Sequence, residues 1–268
     1  MGMFLPDSVR LYCGDCCAGL QQLDSSSLGL VVTSPPYFNA RDYSHWSSYS
    51  AYLSWLRDVF ALVHSRLQDG RFCCINVSPV ISARSCRSDE SVRHPIPFDL
   101  VPIMRDIGFK FIDDIVWVKP DGSAPNRNGG FYRSRKPLAY KPNIVTEYIL
   151  VFRKDSGILV DDVLRSVSKD IIDRSLVRDV YERTNVWEFQ PETSSKHPAP
   201  FPLGLPMRLV SYYSLVGDVV CDPFMGSGTT GVACLQQGRC FVGMELVPSY
   251  FHMAVDRLED VSFNLGLL

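Results

Sequence analysis

Three glycines near the C-terminal end of the sequence have the spacing GxGxxG, in the segment GDVVCDPFMGSGTTGVACLQQGRCFVGMEL. Gly226, Gly228 and Gly231 follow a β-branched run and precede a helical pattern, and Glu245 ends the next apolar run. In such a unit the glycines let the backbone approach a ligand, and an acidic side chain about 20 residues further on accepts hydrogen bonds from ribose hydroxyls. The segment therefore predicts a nucleoside-containing ligand. It is not a P-loop, because no lysine follows the glycines to meet a terminal phosphate.

The rest of the chain alternates short β-branched runs with longer amphipathic stretches, which predicts an α/β domain around a largely parallel sheet. The residues after Gly231 suffice for one strand and one helix, so the remaining strands must come from the N-terminal part. This predicts a permuted order with the cofactor unit last. Ligands of such sheets bind at the carboxyl ends of the strands, where the order reverses. We therefore expect Asp15, Ser34, Asp222 and Glu245 to converge there.

The apolar patterns also give the bounds of the expected elements. Strands are predicted at Val9–Cys13, Gly29–Thr33, Arg71–Val77, Lys110–Val118, Ile144–Phe152, Val219–Asp222 and Cys240–Glu245. Helices are predicted at Ala18–Leu23, Tyr49–Leu67, Pro97–Ile107, Pro206–Ser214, Thr229–Gln237 and Pro248–Leu258. The segment from Asp155 to Glu188 carries eight acidic and five basic residues among scattered apolar positions. We expect it to form a small lobe outside the sheet.

The composition is that of a globular protein, with 46% hydrophobic residues. The apolar runs are shorter than the ~18 residues of a membrane span, and the N-terminus lacks the apolar core of a secretory signal. These features predict a cytoplasmic protein. The nine cysteines lie mostly in or beside apolar runs, which indicates reduced core thiols. Cys13 and Cys16 have the spacing of half a zinc site, but no second pair follows, so no metal is expected.

The segment from Lys119 to Lys154 is basic, although the net charge of the chain is -2. It carries eight basic residues against two acidic ones, with Phe131, Tyr132 and Tyr140 among Gly, Pro and Asn. Such a loop suits contact with phosphates and offers aromatic faces for stacking, and a solvated charged loop is the alternative. The candidate nucleic-acid-binding residues, expected to contact phosphates, are Arg127, Arg133, Arg135, Lys136 and Lys141.

Four motifs together resemble one family: TSPPY (Thr33 to Tyr37), DPFMGSGTT (Asp222 to Thr230), FVGMEL (Phe241 to Leu246) and KHPAPFP (Lys196 to Pro202). From about Leu11 to Leu258 the chain resembles the amino-group DNA methyltransferases of the permuted β class, which use S-adenosylmethionine. The resemblance implies a Rossmann-like methyltransferase fold with a permuted, mostly parallel, seven-stranded sheet flanked by helices. It also implies three regions: residues 1–154 form the catalytic part, 155–190 a small target-recognition lobe, and 191–268 the cofactor-binding part of the same domain.

The catalytic residues that the resemblance implies are Ser34, Pro35, Pro36 and Tyr37. The target amine is a poor nucleophile, because its lone pair is delocalised into the base ring. The Ser34 hydroxyl oxygen and the Pro35 main-chain carbonyl are expected to accept its N–H bonds and to direct the lone pair at the methyl group. The prolines suit this role because their φ is fixed and they donate no hydrogen bond. Tyr37 is expected to stack on a base flipped out of the duplex.

The resemblance implies that S-adenosylmethionine contacts Asp15, Lys196, His197, Asp222, Phe224, Gly226, Gly228, Thr229, Thr230 and Glu245. The aromatic ring and the first two glycines would surround the methionine part, with the two threonines near its carboxylate and Glu245 on the ribose. Asp15 is expected near the adenine or the methionine amine, and the Lys-His pair near the carboxylate end. A surface turn and a solvated charge are the alternatives for Asp15 and Lys196.

The target atom is inferred from the same motif. Methylation of cytosine at carbon 5 needs a Pro-Cys dipeptide, which does not occur in this chain. In this family a Ser at the first position of the tetrapeptide is associated with cytosine N4 and an Asp with adenine N6. We therefore expect methylation of N4 of a flipped-out cytosine in double-stranded DNA, with adenine N6 as the alternative. The resemblance also implies a cognate restriction endonuclease as a possible partner.

Two other classes of protein are compatible with parts of the sequence. A nicotinamide (NAD) dehydrogenase would explain the glycines and Glu245, but it leaves TSPPY and KHPAPFP without a role. A catalytically silent DNA-binding module on the same fold is the second. Thermal-shift titration separates them, because S-adenosylmethionine stabilises only the methyltransferase and a dinucleotide only the dehydrogenase.

Overall fold

An eight-stranded sheet organises the chain. A computed structural model describes residues 5–39, 46–82, 91–120, 133–138, 140, 142–178, 181–189 and 202–268. From one edge to the other, the sheet contains β1 (Val9–Cys13), β10 (Cys240–Glu245), β9 (Val219–Asp222), β2 (Leu28–Thr33), β3 (Leu67–Val77), β7 (Thr146–Lys154), β6 (Phe109–Val118) and β8 (Val186–Glu188). β7 is antiparallel to β3 and β6, and the other neighbouring pairs are parallel. β4 (Val80–Ser82) and β5 (Val92–His94) form a separate antiparallel pair.

Helices cover both faces of the sheet. One face packs against α1 (Cys16–Gln21), α2 (Tyr49–Arg66) and α3 (Ile96–Ile107), and the other against α6 (Gly204–Tyr213), α7 (Thr229–Gln236) and α8 (Pro248–Asn264). Two short helices, α4 (Val160–Arg165) and α5 (Lys169–Ser175), follow β7. Every residue of β2 is buried, which explains why its sequence LGLVVT is a continuous apolar run and not an alternating one. None of the described helices is long and apolar enough to cross a membrane.

The order of the strands reverses between β9 and β2. From β2 the chain continues through α2 to β3 on one side, whereas from β9 it continues through α7 to β10 on the other. The two strands are parallel neighbours, so their carboxyl ends lie side by side. This is the position at which open α/β sheets bind ligands. The glycine-rich loop follows β9 and the SPPY segment follows β2, so both flank the reversal point.

The predicted α/β class and largely parallel, permuted sheet are confirmed, with one strand more than the seven expected. The additional strand, β8, lies inside the segment that was predicted to stay outside the sheet, so that prediction is wrong for Val186–Glu188. β8 pairs in parallel with β6, and Trp187 is 4% exposed. The Trp117 indole donates a hydrogen bond to the main-chain oxygen of Phe189, at 3.1 Å. Burial of one large ring holds this strand in the sheet despite the charged surroundings.

The cysteines need one correction. Cys16, Cys73, Cys74, Cys221 and Cys234 are buried, as core thiols should be, and burial raises the pKa of each of these thiols. Cys13, however, is exposed at the end of β1, and Cys17 and Cys240 are half-buried. The interpretation as a core thiol is therefore wrong for Cys13. Its side chain comes at the end of an edge strand, where the alternation of the strand directs it to solvent.

Candidate active site

Asp222, the last residue of β9, joins the elements on the two sides of the strand reversal. One carboxylate oxygen accepts hydrogen bonds from the Thr33 hydroxyl at the end of β2 (2.6 Å) and from the Phe224 main chain (3.1 Å). The other accepts from the Thr230 hydroxyl in α7, at 2.8 Å. Burial raises the pKa of Asp222 to about 6, although the three donors act in the opposite direction. The structure thus places this residue in the interior, with both oxygens bonded by the protein.

The loop after Asp222 has a backbone that glycine allows at two positions. Gly226 and Gly228 have φ values of 53° and 79°, in the left-handed region that other residues rarely adopt. α7 begins directly after Gly228, and no side chain caps its N-terminus. A Cβ at Gly231 would lie 2.7 Å from the Phe241 ring, so the third glycine allows α7 to pack closely on β10. The loop and the start of α7 therefore leave main-chain N–H groups at the reversal point.

Glu245 ends β10 and faces the same loop. Its two carboxylate oxygens accept hydrogen bonds from the main-chain N–H groups of Gly226 (3.0 Å) and Val247 (2.8 Å). The side chain is half-buried, and burial raises its pKa. A carboxylate offers about four acceptor sites, so two backbone bonds leave room for two hydroxyl donors. The glutamate is therefore held rigidly and still able to bind a diol.

The end of β1 completes this edge of the sheet. The Gly14 main chain donates a hydrogen bond to the carbonyl oxygen of Glu245, at 2.8 Å. Asp15 is exposed and caps α1 by accepting a hydrogen bond from the Ala18 main chain, at 3.0 Å. A Cβ at Gly14 would meet no atom within 4 Å, so the backbone borders open space here. The carboxyl ends of β1, β10, β9 and β2 are neighbours in the sheet, so Asp15, Glu245, Asp222 and Ser34 follow or end adjacent strands at one edge.

The remaining candidates of the cofactor unit have different surroundings. Phe224 is half-buried, with its ring centroid 5.5 Å from that of Trp55 in α2. The hydroxyls of Thr229 and Thr230 are buried and already bonded, the first accepting from Arg257 at 2.9 Å and the second donating to Asp222. The two threonines can therefore meet a ligand through their main chain more readily than through their side chains.

The segment from Ser34 to Tyr37 leaves β2 beside this cofactor unit. Pro35 is buried, whereas Ser34, Pro36 and Tyr37 are half-buried. The Tyr37 hydroxyl donates to the Glu147 carboxylate at 2.9 Å, and the Asn76 amide nitrogen lies 3.4 Å from the Ser34 hydroxyl oxygen. Burial, with a smaller contribution from Glu147, raises the pKa of Tyr37 well above its ordinary value. Thr33, the residue before Ser34, donates a hydrogen bond to Asp222 across the strand reversal. This bond ties the start of the SPPY segment to the end of β9.

Sequence reasoning missed Asn76 and Glu147 as members of this site. They lie in β3 and β7, are 4% and 8% exposed, and hydrogen-bond each other. Lys119, which follows β6, pairs with the second Glu147 oxygen. A signal was present, because an Asn within CCINV and a Glu within TEYILVF interrupt apolar runs, and buried polar residues need partners. Nothing in the sequence indicates that these two runs are neighbours.

Some of the predicted site residues lie outside the part of the chain that the structure describes. Lys196, His197, Arg127 and Lys141 lie outside the described residues. The other members of the basic group are described only within the short segment 133–138, where Arg133, Arg135 and Lys136 are exposed.

The chain is similar to several known proteins. The model of the N6/N4 DNA methylase family matches residues 28–256. The type II methyltransferase M.ScaI of Streptomyces caespitosus is 30% identical over 270 residues, covering 96% of this chain and 83% of that protein. The type II beta methyltransferase M.BslI of Bacillus sp. (strain NEB-606) is 27% identical over 274 residues, but this chain spans only 28% of its length.

A solved structure agrees with these matches. The crystal structure of TTHA0409 from Thermus thermophilus has a TM-score of 0.73 and 32% identity to this chain, and 94% of each chain is covered. A second structure of TTHA0409, in complex with S-adenosyl-L-methionine, has a TM-score of 0.70. The family match extends over most of the chain and over both halves of the site described above. The chain therefore belongs to the N6/N4 DNA methylase family.

Proposed function

We propose that the chain transfers a methyl group from S-adenosylmethionine to N4 of a flipped-out cytosine in double-stranded DNA. The observation that carries this proposal is the contact between Thr33 and Asp222 across the strand reversal, which places the SPPY segment beside the glycine-rich loop. A base amine held at Ser34 and a methyl donor held by the loop would then be neighbours. Two halves of one reaction site are thereby built from opposite ends of the chain.

The described residues fit S-adenosylmethionine. Glu245 keeps acceptor capacity for the two ribose hydroxyls, and the N-terminus of α7 suits the methionine carboxylate, because its first N–H groups favour a negative charge. The open space beside Gly14 leaves room for the nucleoside, and Asp15 lies at its rim. Asp222 takes part indirectly, since its oxygens position Thr33 and α7. When bound, the cofactor supplies an electrophilic methyl group on a sulfonium. TTHA0409, 32% identical to this chain, binds S-adenosyl-L-methionine.

The SPPY segment suits the activation of an amine. Ser34 and the carbonyl of Pro35 would each accept one N–H of the target, which turns the nitrogen lone pair toward the methyl group. The nitrogen–carbon bond forms as the carbon–sulfur bond breaks with its electron pair going to sulfur, and the nitrogen then releases its extra proton. Tyr37 would stack on the flipped base, and Pro36 keeps the turn rigid.

Cytosine N4 is preferred to adenine N6 because Ser34 occupies the first position of the tetrapeptide, where the resemblance associates Ser with N4. The family includes both activities in its name, so adenine N6 is the second candidate. A nicotinamide dehydrogenase receives no support from the family or the relatives. A catalytically silent binding module would not explain the buried hydrogen-bond network of Tyr37, Asn76 and Glu147 around Ser34.

The other regions receive roles in the same proposal. Residues 1–154 contribute the catalytic part and 191–268 the cofactor part, while 155–190 read the target sequence. The basic residues at 127–141 lie along the DNA backbone. M.ScaI and M.BslI are named type II methyltransferases, which supports a cognate restriction endonuclease as partner and a cytoplasmic site of action.

The test is to incubate the purified chain with S-adenosylmethionine carrying a deuterated methyl group and with DNA from a methylation-free host. The DNA is then digested to nucleosides and analysed by mass spectrometry. We expect labelled N4-methylcytosine. Labelled N6-methyladenine would contradict the cytosine assignment only, and the absence of any labelled base, despite binding of the cofactor, would contradict the transferase proposal.

A further inference from the structure

We propose that Glu147 is a positioning residue of the transfer reaction, which orients Tyr37 and, through Asn76, the hydroxyl of Ser34. This inference rests on the proposed function, since Ser34 and Tyr37 are taken to touch the target base. Glu147 itself lies in β7, two strands away from the SPPY segment, and touches neither base nor cofactor in this scheme.

Three separate elements direct hydrogen-bond donors at this one carboxylate. Lys119, after β6, pairs with Oε1, while the Asn76 amide of β3 and the Tyr37 hydroxyl both donate to Oε2. Glu147 is 8% exposed, so its charge must be compensated within the protein. Lys119 supplies the opposite charge at Oε1, so Oε2 can accept hydrogen bonds from the donors on the side of the active site.

The carboxylate determines which end of the Asn76 amide faces the active site. The Oδ1 atom of Asn76 is buried and has no hydrogen-bond partner among the described residues, so no contact of its own oxygen orients the amide. The amide nitrogen, in contrast, lies against Glu147 and 3.4 Å from both the Ser34 and Tyr37 hydroxyl oxygens. Rotation of the amide by 180° would direct its oxygen at the carboxylate, which is repulsive. Glu147 therefore keeps an N–H donor directed toward Ser34.

This donor has a consequence for the reaction. A hydroxyl oxygen has two lone pairs, and a donor from Asn76 engages one of them while the other remains available for the target amine. If the amide rotated, Ser34 would donate its proton to Asn76 and its oxygen would no longer be oriented for the amine. At the same time, the bond from the Tyr37 hydroxyl to Glu147 fixes the far end of the ring that is to stack on the base.

The alternative is that the Lys119–Glu147 pair only stabilises the sheet, and the chain contains a matched control for that role. At the opposite end of β7, Lys154 pairs with Asp69 at 3.1 Å and donates to the Leu67 carbonyl at 2.8 Å. Its side chain is 12% exposed, so it is buried to a similar degree. Lys154→Met therefore removes an ion pair between a largely buried lysine and the half-exposed Asp69 from the same strand, without touching the site.

The experiment compares Glu147→Gln with Lys154→Met in the full chain. The free energy of a hydrogen bond to a charged group corresponds to a change in rate of about tenfold to a hundredfold, so we expect kcat of Glu147→Gln to fall by that factor. The dissociation constant for S-adenosylmethionine and the KM for DNA should stay within about twofold, as should kcat of Lys154→Met. Glu147→Gln combined with Lys119→Met leaves neither member of this ion pair charged, so it tests the same loss of kcat if the single variant is unstable.

A double-mutant cycle separates positioning from a general loss of structure. If Glu147 acts through its two partners, Glu147→Gln should reduce kcat by less than about threefold in a background that carries Tyr37→Phe and Asn76→Ala. Full additivity in that background would overturn the inference, as would a kcat of Glu147→Gln within about twofold of wild type. Both outcomes require an active wild-type protein. A wild type that transfers no methyl group would instead refute the proposed function, and this inference with it.

Discussion

Burial and hydrogen bonding act in opposite directions on the pKa of Asp222. The residue is 1% exposed, and burial raises its pKa from 3.8 to about 6 in the folded protein. A carboxyl group with a raised folded-state pKa binds its proton more tightly when folded, so ionisation destabilises the fold. This penalty is absent below about pH 4, grows between about pH 4 and 6, and is complete above that range. One pKa unit is worth about 1.4 kcal/mol, which gives about 3 kcal/mol at pH 7.

We therefore expect Asp222→Asn to change how the free energy of unfolding depends on pH. The amide oxygen can still accept from Thr33 and from the Phe224 main chain, and the Thr230 hydroxyl can turn to accept from the new amide nitrogen. Loss of the charge weakens these bonds. Because Asn does not titrate, however, the contribution of this side chain to the stability of the variant does not change with pH. The stability of the variant relative to wild type should therefore rise by about 3 kcal/mol between pH 4 and 7.

Urea denaturation at several values between about pH 4 and 8 measures this difference. Glu245 also has a raised pKa, but it is present in both proteins, so its titration largely cancels in the comparison. A difference that stays flat over this range would refute the reasoning. A difference that falls as the pH rises would show that the three donors outweigh burial and hold the carboxylate in its ionised form.

The remaining predictions concern the reaction and the DNA. Ser34→Ala should lower kcat while the dissociation constant for S-adenosylmethionine, measured by calorimetry, stays nearly unchanged; near-normal turnover would remove Ser34 from the site. Glu245→Ala should weaken cofactor binding, because each hydrogen bond between ribose and a charged group is worth about 1.5 to 3 kcal/mol, and an unchanged dissociation constant would argue against the cofactor site. Changing Arg133 and Arg135 together to Ala should lower the salt slope of DNA binding, measured by fluorescence anisotropy, by about 2 for specific and nonspecific duplex alike. A loss confined to the preferred sequence would mean that these arginines read bases.

The sequence by itself determined the elements in which local pattern and environment agree. β1, β9 and β10 have the predicted bounds. The runs of β9 and β10 are largely apolar and end in a charged residue, which is typical of buried parallel strands, whereas the run of the edge strand β1 includes Arg10 and ends at the residue before Gly14. The glycine spacing determined the loop before α7, where Gly226 and Gly228 adopt positive φ. Each of these features depends on neighbours in the chain, so local physical chemistry is sufficient to predict it.

Only the tertiary structure decided which polar groups meet. Tyr37 and Glu147 are separated by 110 positions in the sequence, and Thr33 and Asp222 by 189, yet both pairs are hydrogen-bonded. The order of the strands brings them together, and that order depends on the burial of apolar surface over the whole sheet, which no short stretch of sequence determines. The same is true of β8, whose three residues belong to the sheet because Trp187 is buried against it. The sequence supplied Asn76, Lys119 and Glu147 as isolated polar residues, and burial at the ends of adjacent strands made them one network, since a buried charge is stable only with its partners in contact.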